Sequence, residues 1–242
     1  MEAGAEILDA QGAASVLDWW REAGVDVAIV EEPRNWLAEP RGQSVAAPAS
    51  PEAPAATALP LTLAGFRSWL ETVDALPDGS AIGRRILPAG DAASGLMVMI
   101  DMPEPADSAG GSLLSDETGR LFDKMMGAIG RDRASIYFTS LCLARPAGGR
   151  IDPTALDALA ALAKHHIALA APKRLLLMGQ AVSRAVIGAE LAQARGKLHH
   201  VNHDGGKVEA IASFAPRFLI QNPARKGDSW RDLRLLIGGM DL

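Results

Sequence analysis

Cysteine is almost absent from this chain: Cys142 stands alone among 242 residues. That excludes an intrachain disulfide framework and any metal or iron–sulfur centre built from several cysteines of one chain. Aromatic residues make up only 5% of the sequence, while alanine and glycine abound, a composition suited to helices lying close on a sheet. No apolar run reaches the roughly 18 residues of a membrane span, and no basic-plus-apolar leader opens the chain. A cytoplasmic location is therefore the expectation. No GxxxxGK[ST] and no GxGxxG follows a predicted strand, so the usual nucleotide cradles are missing. No serine sits in a GxSxG elbow, which removes the commonest hydrolase nucleophile.

The length allows one sizeable α/β domain with an appendage. Net charge is −5, but the charge is unevenly spread. Residues 1–110 carry 17 Asp/Glu against 6 Lys/Arg, whereas residues 173–234 carry 11 Lys/Arg against 5 Asp/Glu. Such asymmetry predicts one basic face on an otherwise acidic molecule.

Hydrophobic spacing gives the organisation. Ala14–Ala23 (ASVLDWWREA) reads as a short amphipathic helix ending at Gly24, with Trp19 and Trp20 on it. Val45–Pro60 is Ala/Pro-rich and aperiodic, an extended linker. Leu61–Leu76 resumes helical spacing. The rest alternates: strands at Leu96–Ile100, Ala134–Leu141, Arg174–Met178 and Ala210–Phe214, and helices at Gly119–Ile129, Pro153–Ala170, Ala181–Ile187 and Ser229–Ile237. This pattern implies parallel crossovers and an α/β fold, a three-layer α/β/α sandwich around a central, mostly parallel sheet. Functional loops in such sheets gather at the carboxyl ends of the strands, here Asp101–Asp107, Ser140–Arg150, Gly179–Ala181 and Ala215–Arg217.

Five segments then carry a family likeness. Ile100-Asp101-Met102-Pro103-Glu104-Pro105 parallels GEAPG, and Gly111-Ser112-Leu113-Leu114 with Gly119–Met126 parallels GxPFVGxxGxLLDxML. Tyr137–Arg150 parallels YITNxxxCRPPxNR, Pro172–Gly179 parallels PKxIxxLG, and Ser213–Leu233 parallels xxHPAxLLRxPxxKxxxWxDL. In order and spacing the chain resembles the iron–sulfur branch of the uracil-DNA glycosylase superfamily from about Leu96 to Leu236. The N-terminal LDWWREAGVDVAIVEEP is similar to a leader on bacterial members. The division implied is a helical leader at 1–44, the linker at 45–60 and a glycosylase-like domain at 61–242.

The resemblance also implies what has been lost. The family's base pocket falls on Pro103, Leu114, Ser140 and Ala215. Ala215 replaces a histidine that donates to the departing base, Ser140 replaces an asparagine that reads uracil, and Leu114 replaces a stacking phenylalanine. Ala144 stands at a cluster cysteine, with Cys142 two positions away, so no cofactor is expected. Asp101 aligns with the family's first-motif glutamate and is the one candidate catalytic residue, followed by Glu104 and Asp107 in a loop that reads as solvated. Arg145, Arg150, Arg217, Arg225 and Lys226 are the candidate DNA-binding residues, with Ser229 as a helix cap and Arg231 and Asp232 as a local pair.

The expectation is thus a divergent member that binds DNA, in repair or damage recognition, with base excision lost or altered. A protein-interaction module docking through the Trp19/Trp20 helix, and an active glycosylase with an atypical site, are the alternatives. His199, His200 and His203 read as a Gly-bounded loop with weak metal-ligand character, and His165 and His166 as a surface pair.

Overall fold

Strand β2 (Leu96–Ile100) is apolar at every position and wholly buried, and its side chains alternate between two cores. In this computed structural model, which describes Trp19 and residues 59–238, Leu96, Val98 and Ile100 face one core and Met97 and Met99 the other. The chain divides into two units, Met1–Ala56 and Thr57–Leu242, and the elements below belong to the second. The expected linker up to residue 58 and most of the N-terminal helix lie outside the described residues; Trp19 itself is helical and 63% exposed.

Among the described residues, six strands form one sheet: β1 (Ala89–Gly90), β2, β3 (Tyr137–Ser140), β4 (Arg174–Met178), β5 (Leu198–His203) and β6 (Gly206–Ser213), in the order β1-β3-β2-β4-β6-β5. The inner pairs β3/β2, β2/β4 and β4/β6 are parallel, with Ile100 opposite Ser140 and Met178, and Met178 opposite Ser213. Both edges are antiparallel. The four parallel strands therefore end side by side.

On one face lie α3 (Glu117–Gly127) and α8 (Lys226–Ile237), whose Phe122, Met126, Leu233 and Leu236 pack on Val98, Phe138 and Leu176. Phe122 and Phe138 stack at 4.7 Å. On the other lie α4 (Leu156–Ala170) and α5 (Gln180–Ile187), with Leu159, Ile167, Val182 and Val186 against Met97, Met99 and Leu177. Each such side chain, fully buried, contributes about 1.5–3 kcal/mol relative to exposure. Helix α1 (Leu63–Thr72) is capped by Thr62, whose hydroxyl accepts from Gly65 N at 3.1 Å, and inserts Phe66 and Leu70 beside α4. Three short helices, α2 (Asp107–Gly110), α6 (Leu191–Ala194) and α7 (Pro216–Gln221), border the strand ends. The α/β fold expected from the sequence is the fold observed.

Three local expectations need correction. The His199–His203 segment is edge strand β5, hairpinned to β6, with Val201 as its buried residue. His166 is buried, with Nε2 2.9 Å from the Tyr137 hydroxyl, and His165 Nε2 lies 2.9 Å from the Pro60 carbonyl, so the two are not a surface pair. Ser229 is not a cap: it lies buried inside α8, which begins at Lys226.

Candidate functional site

The loop leaving β2 is organised by its own acids. Asp107 is fully buried, and its Oδ2 accepts from Glu104 N at 2.7 Å and Leu114 N at 2.8 Å. Its Oδ1 accepts from Ser115 N at 2.7 Å and the Ser115 hydroxyl at 2.8 Å. One carboxylate thus joins both ends of the loop Glu104–Ser115, and the reading of these acids as solvated does not survive.

Asp101 lies at the carboxyl end of β2, where the sequence places the catalytic acid. Its Oδ1 accepts from Val182 N at 2.7 Å and its Oδ2 from Gln180 N at 3.1 Å. It therefore serves as the N-terminal cap of α5, satisfying donors that the helix leaves open. Burial pushes the Asp101 carboxyl above its ordinary value, while the N–H groups of Val182, Ala181 and Gln180 pull the other way. Gly179 makes room for it: φ is +142°, and a β-carbon there would lie 2.4 Å from the Asp101 carboxylate.

Between this loop, the segment after β3 and α7 lies a cavity of about 220 Å³, lined by Asp101, Leu114, Arg145, Ala215, Arg217 and Phe218 among others. Leu114 holds φ +53°, a conformation that L-residues seldom adopt. It is pinned by Arg133, whose Nη1 donates to Leu113 O at 2.6 Å and Nη2 to Leu114 O at 2.7 Å. Gly119 completes the fit, since a β-carbon there would lie 1.9 Å from Leu114 O.

Across the cavity, Glu104 is buried and bonded by Arg217, whose Nε donates to Oε2 at 2.5 Å. Arg145 donates from Nη1 to Pro103 O at 3.0 Å. The Glu104 bond, against the cost of burial, holds the Arg217 guanidinium above the ordinary arginine value. Phe218, 38% exposed, stacks on Phe214 at 4.6 Å, and Phe214 carries the Arg195 guanidinium over its ring at 4.0 Å.

The structure thus brings Asp101, Leu114, Ala215, Arg145 and Arg217 to one cavity. Ser140 is set apart from it: the hydroxyl donates to Cys142 O at 2.7 Å, and the residue borders a small void with Phe66 and His166. Pro103 is buried and does not line the cavity. Arg150 lines a neighbouring cleft of about 340 Å³ with Gln180 and Arg184. Arg225 and Lys226 are exposed at the start of α8, Arg225 within 3.2 Å of Asp228.

Asp232 does not pair locally with Arg231. Fully buried, it accepts from Arg195 Nε at 2.8 Å, Gly196 N at 3.1 Å and the Ser213 hydroxyl at 2.9 Å, while Arg231 pairs with Asp228. Burial pushes the Asp232 carboxyl up, against the bonds from Arg195, Ser213 and Gly196. Arg133, Arg195 and Phe218 were not singled out in the sequence. Phe218 alone left a trace there, as the second aromatic of the FAPRF turn.

The donor set does not fit a cysteine-held iron–sulfur cluster. The chain has one cysteine, Cys142, which is buried, with a thiol pushed up to about 12 chiefly by burial; cluster ligation needs thiolates. Among the described residues, no three His, Cys, Asp or Glu side chains gather into a metal-binding group. No helix among them is long and apolar enough to cross a membrane.

Parallel strands with a lined cavity and a neighbouring cleft at their carboxyl ends define an α/β sandwich with its candidate site at the strand ends. Comparison with known proteins makes this specific. A profile of the uracil DNA glycosylase superfamily matches residues 87–234, and the chain belongs to that superfamily. It is similar to the Type-4 uracil-DNA glycosylase of Pyrobaculum aerophilum, 21% identical over 157 residues that cover 62% of this chain and 80% of that relative.

Proposed function

We propose that this chain is a glycosylase-fold protein that binds DNA, in repair or damage recognition, and has lost uracil excision. The observation that carries the second part is the bonding of Asp101. Excision requires a flipped nucleotide, hydrogen-bond donors for the charge on the departing base, and a carboxylate free to assist at the sugar. Here that carboxylate is bound to the N–H groups of Gln180 and Val182. Ala215 offers the leaving base no side-chain donor, and the Ser140 hydroxyl is engaged with Cys142 O. Loss of a single donor of this kind costs on the order of 10²–10³ in rate. Combined losses leave little of the reaction.

Support for DNA binding is electrostatic and aromatic. The excess of Lys/Arg in residues 173–234 includes exposed Arg225 and Lys226 at the first turn of α8. Phe218 presents a ring at the cavity mouth of a kind on which a base stacks. Phosphate contacts of this type bind without reading sequence and weaken steeply with salt. The test is anisotropy of a labelled oligonucleotide with wild type and the Arg225→Ala/Lys226→Ala double variant. Affinity that is unchanged in the variant refutes the assignment.

A further inference from the structure

Three charged side chains from three separate segments meet at one edge of the cavity. Glu104 comes from the loop after β2, Arg145 from the segment after β3 and Arg217 from the first turn of α7. Glu104 Oε2 receives Arg217 through both Nε and Nη2, and Arg145 Nη1 lies 3.8 Å from the same oxygen. The carboxylate side chain is 9% exposed, whereas Arg145 and Arg217 are 27% and 42% exposed. Both cations therefore face the opening while sharing a buried anion behind it. The two ends of the closest pair are also paired departures: Glu104 stands where the family pattern has Gly, and Arg217 where it has Ala.

We infer that Arg145 and Arg217 form an anion site in this cavity, that Glu104 is its internal occupant, and that its external ligand is a DNA phosphodiester that displaces the Glu104 carboxylate. This rests on the DNA-binding reading above. Guanidinium binds carboxylate and phosphate through the same fork of donors, so one anion substitutes for the other. The exchange needs only side-chain rotation, because the Glu104 backbone stays fixed by its N–H bond to Asp107. Removing the carboxylate leaves Arg145 with its bond to Pro103 O and Arg217 with only the more distant charge of Asp116, so two part-exposed cations lack a contacting anion and attract an external one. The nearby Phe218 ring, with Arg225 and Lys226 on the next helix, favours a nucleic-acid strand over an acidic peptide.

The experiment measures binding of a labelled single-stranded oligonucleotide without uracil across a salt series. It compares wild type, Glu104→Gln, Arg217→Ala and the double variant, each checked for cooperative melting. Glu104→Gln should bind about ten-fold tighter at low salt, with a log–log salt slope steeper by about 1. Arg217→Ala should bind at least about three-fold more weakly than wild type, and adding it to Glu104→Gln should erase the gain. A folded Glu104→Gln that binds no tighter overturns the proposal. Should that variant not fold, Arg217→Ala decides alone, and unchanged affinity overturns it. If Arg225→Ala/Lys226→Ala loses binding while these variants do not differ from wild type, DNA binding stands and the anion site falls. If neither wild type nor Glu104→Gln binds, both fall. Stabilisation of Glu104→Gln by inorganic phosphate at matched ionic strength, without tighter DNA binding, overturns the phosphodiester assignment.

Discussion

The Oδ1 atom of Asp101 accepts the backbone N–H of Val182 at 2.7 Å, which turns the residue aligned with a catalytic acid into the cap of a helix. On the function proposed above, its role is stability. Asp101→Ala should lower the free energy of unfolding by about 2 kcal/mol in urea titration, in line with a strong cap. DNA affinity should stay the same apart from any loss of folded protein.

Restoring one lost group should not restore the reaction. Ala215→His places a donor at the cavity, but Asp101 remains bound to α5 and Ser140 remains turned to Cys142 O. Single-turnover assays on uracil-containing oligonucleotides should detect no base release from this variant. Release by Ala215→His alone would mean that the site lacks only its donor.

Asp232 has three distinct partners, Arg195, Gly196 N and the Ser213 hydroxyl, in a fully buried setting. Asp232→Ala takes the carboxylate from all three, leaving the Ser213 hydroxyl only Ser229 Oγ and Arg195 only the Phe214 ring, and should cost about 3 kcal/mol or more by chemical denaturation. Arg231→Ala, whose side chain is 76% exposed beside Asp228, should cost less than about 1 kcal/mol.

Two glycines in α3 should respond in opposite senses. At Gly119 a β-carbon would lie 1.9 Å from Leu114 O, so Gly119→Ala must displace the strained Leu114 or α3 and should destabilise by about 1–3 kcal/mol. At Gly127 nothing lies within 4 Å, and Gly127→Ala should stabilise by about 0.5 kcal/mol. Thermal melts of the pair separate a cavity constraint from simple helix propensity.

His166 supplies a pH dependence. Burial, then the charges of His165 and Arg67, bring its imidazole down to about 3 from an ordinary 6.5. A depressed histidine favours the neutral ring in the folded state. Its contribution is complete above pH 6.5 and is lost as pH falls from 6.5 towards 3, because the unfolded chain takes the proton first. The slope is about 1.4 kcal/mol per pH unit. Asp101 and Asp232, both raised, act in the opposite sense, so the informative quantity is a difference. Wild type should lose stability below pH 6.5 more steeply than His166→Gln.

Much of the fold was legible because β2 and residues Leu175–Met178 of β4 are continuous apolar runs and α3 and α5 carry clear helical stripes. Strand β5 was hidden because LHHVNH is an edge strand with one buried residue, so its polar alternation reads as loop. Of the positions that motif order picked out, Asp101, Leu114, Ala215, Arg145 and Arg217 line the cavity but Pro103 and Ser140 do not, and motif order gave none of the bonding there. Asp101 reaches Gln180 across 79 residues and Glu104 reaches Arg217 across 113. Only the sheet register, which sets Ile100 beside Met178 and Met178 beside Ser213, brings those partners together. Asp107 misled for a similar reason: an acid in a Pro-rich loop looks solvated until its four donors are seen.

The most direct test of a glycosylase fold that binds DNA without excising uracil is one assay on one set of samples. Single-turnover base release and binding across a salt series are followed together on single-stranded and duplex oligonucleotides containing uracil, with Asp101→Asn as control. The account predicts salt-dependent binding with no base release from either protein. Base release by wild type that Asp101→Asn abolishes would contradict it, and would make Asp101 the acid of a working site.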